Sequence, residues 1–214
     1  MHVIVPGPAG ALEALLDAPD ARTDGSGSDR APRAAVVLAH PHPLHGGTMH
    51  TKAVFQAAKG LRRIGCAVLR FNFRGVGESA GAFDEGRGER DDVASALSFL
   101  ETHYPGISLW AGGFSFGAWI ALETGAVDPR VSLLVGIAPP VGRYAFEATL
   151  ATPKPKFLVQ GGLDAICPPR DAWAFYAKLK EPKELVVIDG ANHLFEGMAV
   201  EVGEALEDLL GDFD

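Results

Sequence analysis

Short apolar runs of strand length alternate with stretches of helical periodicity along most of this 214-residue chain. The runs at residues 34–39, 67–71, 107–111, 131–137, 156–161 and 184–188 lack the polar alternation of a half-exposed strand. Strands buried on both faces read this way. Between them, Val54, Ala57, Ala58, Leu61 and Ile64 share one helical face that Gly65 closes. Val93, Ala96, Leu97 and Leu100 share another over about residues 89–103, and Met198, Val202, Leu206 and Leu209 a third over about 198–210. Residues 118–124 and 171–179 also read as helices. Strand–helix alternation of this kind predicts an α/β fold: a mostly parallel sheet with helices on both faces. Ligands then bind at the carboxyl ends of the strands.

The remaining chain decorates that frame. Residues 1–6 and 11–16 flank the turn Pro6-Gly7-Pro8-Ala9-Gly10 and read as an antiparallel N-terminal hairpin at the sheet edge. Residues 17–33, rich in Asp, Gly, Ser and Pro, read as a long surface loop. Residues 142–155 read as a short connection. The length fits one domain over residues 1–214. A net charge of −8 with no block of like charge argues against nucleic acid as a partner, because that needs a basic surface. Cys66 and Cys167, far apart in sequence, read as reduced thiols of a cytoplasmic protein. No segment resembles a signal peptide, and no apolar run approaches the ~20 residues of a membrane helix, so no membrane partner is expected.

The chemistry begins at Gly113-Phe114-Ser115-Phe116-Gly117, a G-x-S-x-G sequence set between a strand-like and a helix-like run. A strand that turns straight into a helix strains its turn residue and projects the serine hydroxyl from the top of the sheet. Glycine two before and two after lets helix and strand approach. The bland alternative is a helix N-cap serine. A catalytic serine needs a base, and the base needs a third group to hold its tautomer. Of seven histidines, only His193 follows the last strand. Asp164 stands just past the next-to-last strand, with Asp171 and Asp189 as rivals. The order Ser115, Asp164, His193 is the one expected for a nucleophile on such a turn. One oxyanion donor should be the N–H of Phe116. The other should come from the loop after the 34–39 run, where Pro41 and Pro43 have no N–H. His42 is the best candidate there, with Gly46 and Gly47 as a second register.

Three other readings compete. His40, His42, His45 and His50 crowd one loop and could ligate a metal. No cysteine accompanies them and the prolines suit a rigid oxyanion loop, so neither a metal nor another cofactor is expected. Gly75-Val76-Gly77-Glu78-Ser79-Ala80 matches a dinucleotide fingerprint, but that motif must open a helix and a glycine-rich stretch follows instead. A non-catalytic interaction protein on an enzyme fold is the third, since fold does not fix function.

The chain resembles the α/β-hydrolase superfamily from Ala34 to its last helix. The resemblance is carried by the 40–49 segment, Arg70-Phe71-Asn72-Phe73-Arg74-Gly75-Val76-Gly77-Glu78-Ser79, the serine turn, the 161–169 segment and Gly190-Ala191-Asn192-His193. It is similar in particular to small bacterial hydrolases without a lid domain, grouped near the dienelactone hydrolases. Those enzymes use a cysteine nucleophile where this chain has Ser115. The resemblance implies an eight-stranded sheet of the α/β-hydrolase fold and a serine esterase mechanism through an acyl-enzyme. His40, Leu44, Gly46, Gly47, Phe114 and Ile166 are then expected to border a small-molecule ester. Lactones, thioesters or peptides are the alternative acyl substrates. The interval at 138–155, where many such enzymes insert a lid, is short and proline-rich, so short acyl groups are expected. The protein is expected to be a monomer or homodimer.

Overall fold

Burial without alternation has its counterpart in a sheet covered on both sides. The computed structural model describes residues 1–20 and 31–213. Eight strands are ordered β1-β2-β4-β3-β5-β6-β7-β8. They are β1 (His2–Gly7), β2 (Gly10–Asp17), β3 (Ala35–Ala39), β4 (Ala67–Phe71), β5 (Leu109–Phe114), β6 (Val131–Ile137), β7 (Lys156–Gly161) and β8 (Lys183–Ile188). β1 and β2 form an antiparallel hairpin, and β2 pairs antiparallel with β4. All pairings from β4 through β8 are parallel. Of the expected loop at 17–33, residues 21–30 lie outside the described residues.

Alternate side chains of the central strands feed two cores, while β1 and β2 contribute to one. Ala35, Val37 and Ala39 of β3 join one, with Ala111 of β5. Val36 and Leu38 join the other, with Trp110. The first core is closed by α2 (Arg87–His103), α3 (Phe116–Val127) and Phe175 of α5 (Pro169–Lys178). The second is closed by α1 (Lys52–Arg63) and α6 (Ala199–Gly211). These two helices cross closely: a Cβ on Gly60 would strike the Gly203 carbonyl, and one on Gly203 would strike that of Gln56.

Several boundaries differ from the sequence expectation. β5 runs on to Phe114, where its parallel ladder with β6 continues as far as Phe114–Ile137. α2 starts at Arg87 rather than near Glu89. The Glu89 carboxylate accepts from the N–H groups of Asp84 and Gly86, and Asp84 accepts from Gly88, so side chains satisfy the first turn. The 142–155 connection contains α4 (Glu147–Ala151), too short to leave a periodic signature. Buried Glu123 on α3 holds it, accepting from Thr149 Oγ1 at 2.7 Å and from the Thr149 N–H at 2.9 Å.

Candidate active site

At the top of β5 the chain reverses direction through one residue. Ser115 has φ 54° and ψ −119°, a region that costs a non-glycine residue about 1–3 kcal/mol. Its N–H donates to the Ile137 carbonyl at 2.8 Å, which ties the turn to β6. The flanking glycines are there for contact. A Cβ on Gly113 would strike the Gly117 carbonyl group, and one on Gly117 would strike the carbonyl oxygens of Ala39 and His40. α3 can therefore lean on both β5 and β3 only without side chains at these points.

Two more loops at the same sheet end meet the serine. His193, in the loop after β8, places Nε2 2.9 Å from Ser115 Oγ and Nδ1 2.8 Å from Asp164 Oδ2. Asp164, just past β7, is buried and receives four donors. Oδ1 accepts from the N–H groups of Ile166 (2.8 Å) and Cys167 (2.7 Å), and Oδ2 from Gln160 Nε2 (2.9 Å) and His193. Burial pushes its carboxyl upward, but the bonds from His193, Cys167 and Ile166 outweigh that and leave it below the usual carboxylate range. The rival acids stand elsewhere: Asp189 is exposed, and Asp171 on α5 faces Arg170 at 3.4 Å.

The 40–51 loop is built by hydrogen bonds around His40 and His42. His40 is fully buried, its Nδ1 donating to the Pro41 carbonyl at 2.6 Å and its Nε2 accepting from the Phe73 N–H at 3.0 Å. Burial, partly offset by the Pro41 bond, holds this imidazole down to about 4. The His42 carbonyl accepts from the N–H groups of His45 and Gly47, both at 3.1 Å. Its Nδ1 accepts from the Leu44 N–H at 3.2 Å, so Nε2 carries the ring proton. The His42 ring lies 4.9 Å from that of Phe116. Burial, with the nearby His45, lowers its proton affinity. Phe116 opens α3, so its N–H has no intrahelical acceptor.

Several expected substrate contacts need correction. His40 has no exposed surface and both ring nitrogens engaged, so it braces the loop instead of bordering substrate. Phe114 is also fully buried, packing 5.4 Å from the His193 ring and 6.0 Å from Phe195. Gly47 is buried with its N–H committed to His42, which removes it from the second oxyanion register. Leu44, Gly46 and Ile166 are exposed at the loops carrying His42 and Asp164. The four loop histidines do not come together as a ligand set among the described residues, and His40 is fully buried with both ring nitrogens engaged. Among the described residues, the one cluster with ligand spacing is Asp164, Cys167 and His193, within 4.8 Å. Its carboxylate is already filled by four donors, and burial, reinforced by Asp164, pushes the Cys167 thiol up to about 12. Sequence reasoning missed Gln160 and Asn72. Asn72 Oδ1 accepts from the Met49 N–H at 2.8 Å and anchors the end of the 40–51 loop. The available signal was a polar residue at the end of an apolar run.

Fold and site together define an α/β hydrolase of the serine type. The family model described as serine aminopeptidase, S33, matches residues 30–152, and the chain belongs to that family. The match does not reach the finer grouping near the dienelactone hydrolases. An uncharacterized protein of Rickettsia prowazekii is 38% identical over 208 residues, covering 91% of this chain and 87% of its own. A Coxiella burnetii structure described as an alpha-beta serine hydrolase homologue is 38% identical, covers 98% of this chain and 97% of its own, and has a TM-score of 0.87. A lidless serine hydrolase from Xanthomonas campestris is 33% identical, covers 97% and 92%, and has a TM-score of 0.86. No helix among the described residues is long and apolar enough to cross a membrane.

Proposed function

We propose that this hydrolase is a carboxylesterase acting on small esters with short acyl groups. The observation that carries the reading is the unbroken hydrogen-bond chain from Ser115 Oγ through His193 to Asp164, at 2.9 and 2.8 Å. Ser115 Oγ attacks the ester carbonyl while His193 Nε2 takes its proton. Asp164 keeps the other ring proton on Nδ1 and stabilises the imidazolium. The N–H groups of Phe116 and His42 receive the charge on the carbonyl oxygen, each worth roughly 3 kcal/mol in the transition state. His193 then protonates the departing alcohol, and water attacks the acyl-enzyme by the same route in reverse. The short-acyl preference rests on the interval between β6 and β7, which holds only the five-residue α4.

Aminopeptidase action, suggested by the family description, is the second reading. Asp164 has its oxygens occupied by four donors and offers none to a substrate ammonium. A fluorophosphonate probe should label Ser115, and the labelled protein should lose turnover of p-nitrophenyl acetate. Faster cleavage of aminoacyl p-nitroanilides than of acetate would replace the esterase reading, and absence of labelling would remove the catalytic one.

A further inference from the structure

Gln160 is the fully buried residue at the end of β7 that faces the loop holding Asp164. Its Nε2 donates to Asp164 Oδ2 at 2.9 Å and to the Cys167 carbonyl at 2.7 Å. Both partners only accept, so the amide can face them only through its NH2 group. Its Oε1 is then buried without a hydrogen-bond partner among the described residues. Such an orphan is unfavourable for folding, and an apolar side chain of the same shape would avoid it. The gain that offsets it lies at Asp164. Oδ2 is the same oxygen that receives His193 Nδ1 at 2.8 Å. Two donors on one oxygen compete for its charge, and a carboxylate that gives part of it to an amide holds an imidazolium less strongly.

We propose that Gln160 is a positioning residue that divides Asp164 Oδ2 between its own amide and His193, and so sets the pH at which the base becomes active. The inference rests on the triad reading given above. The other ionisable groups near Asp164 are Cys167, Arg143 and Asp171. The Cys167 thiol is pushed up to about 12 by burial and by Asp164, and stays neutral. Arg143 and Asp171 act on that same thiol from the loop after β6 and from α5. From β5 and the turn after it, His193 meets the ring of Phe114 and the Ser115 hydroxyl, and in its own loop the Glu196 carboxylate accepts from Asn192 Nδ2 at 2.9 Å.

Gln160→Met keeps the length and removes both donor hydrogens, and Gln160→Asn keeps an amide too short to reach. The acid limb of kcat/KM for p-nitrophenyl acetate is measured for both against the natural chain. In parallel, the imidazole nitrogens of His193 are titrated by NMR, the resonance being identified by its loss in His193→Ala. Both the limb and the titration midpoint should move to higher pH by about 0.5–1 unit, a roughly three- to ten-fold loss of rate below the limb with less change on the plateau. A lower plateau with limb and midpoint unmoved would reduce Gln160 to packing and overturn the inference. So would failure of both variants to fold. If the natural chain turns over no ester, the esterase reading falls, and the NMR midpoints alone still decide the role of Gln160.

Discussion

Burial keeps the His40 imidazole neutral, and that gives one residue a measurable effect on the whole chain. Its folded value of about 4 lies below the ordinary 6.5, so the unfolded chain binds the extra proton first. Stability is therefore full above about pH 6.5 and declines as pH falls toward 4. Between pH 7 and pH 5 the unfolding free energy should drop by about 2 kcal/mol from this group. Urea unfolding at the two pH values checks it, and His40→Gln should flatten the slope. At the proposed reacting residues, Ser115→Ala should lower kcat by about 10⁵-fold or more without lowering Tm. Asp164→Asn should cost about 10⁴-fold, with Asp171→Asn and Asp189→Asn near the natural rate. If Asp189→Asn shows the loss instead, the acid has been misassigned. Ser115, Asp164 and His193 were legible in the sequence because each follows a strand that announces itself. Gln160 was not, since one polar residue ending an apolar run does not say which loop it will face.

Elements meet here through missing side chains as much as through apolar ones. α1 and α6 touch backbone to backbone at Gly60 and Gly203, and an added methyl has no space there. Gly60→Ala should destabilise by about 1–3 kcal/mol, lowering Tm by roughly 5 °C. Calorimetry checks it, and an unchanged Tm would mean that the two helices can slide apart freely. Helix and strand cores were readable from periodicity because burial repeats along them. α4 was not, because its five residues are held by one carboxylate, Glu123, that lies in another helix. A tertiary anchor of this kind leaves no local pattern to read. The buried placement of His40 and Phe114 escaped for a related reason: a residue beside a catalytic one in sequence can point into the core behind it.

At the scale of the molecule, the site is a junction of loops at one end of the sheet, with only the five-residue α4 between β6 and β7. A site with no long roofing segment buries little of a long chain, and each buried CH₂ is worth ~0.8 kcal/mol. Over p-nitrophenyl esters from acetate to palmitate, kcat/KM should peak at the short end, with no jump at the micellar concentration. A maximum at long chains would reveal an apolar channel and end the short-acyl reading. The parallel pairing of β3 with β5, Ala39 opposite Gly113, has a further consequence. The loop of His42 and the turn of Ser115 leave adjacent strands side by side, while 141–155 is a separate excursion between β6 and β7. The nucleophile turn and this excursion thus belong to different segments of the chain. An engineer could graft a new excursion between Ile137 and Lys156 to redirect the proposed esterase, leaving the turn of Ser115 as it was.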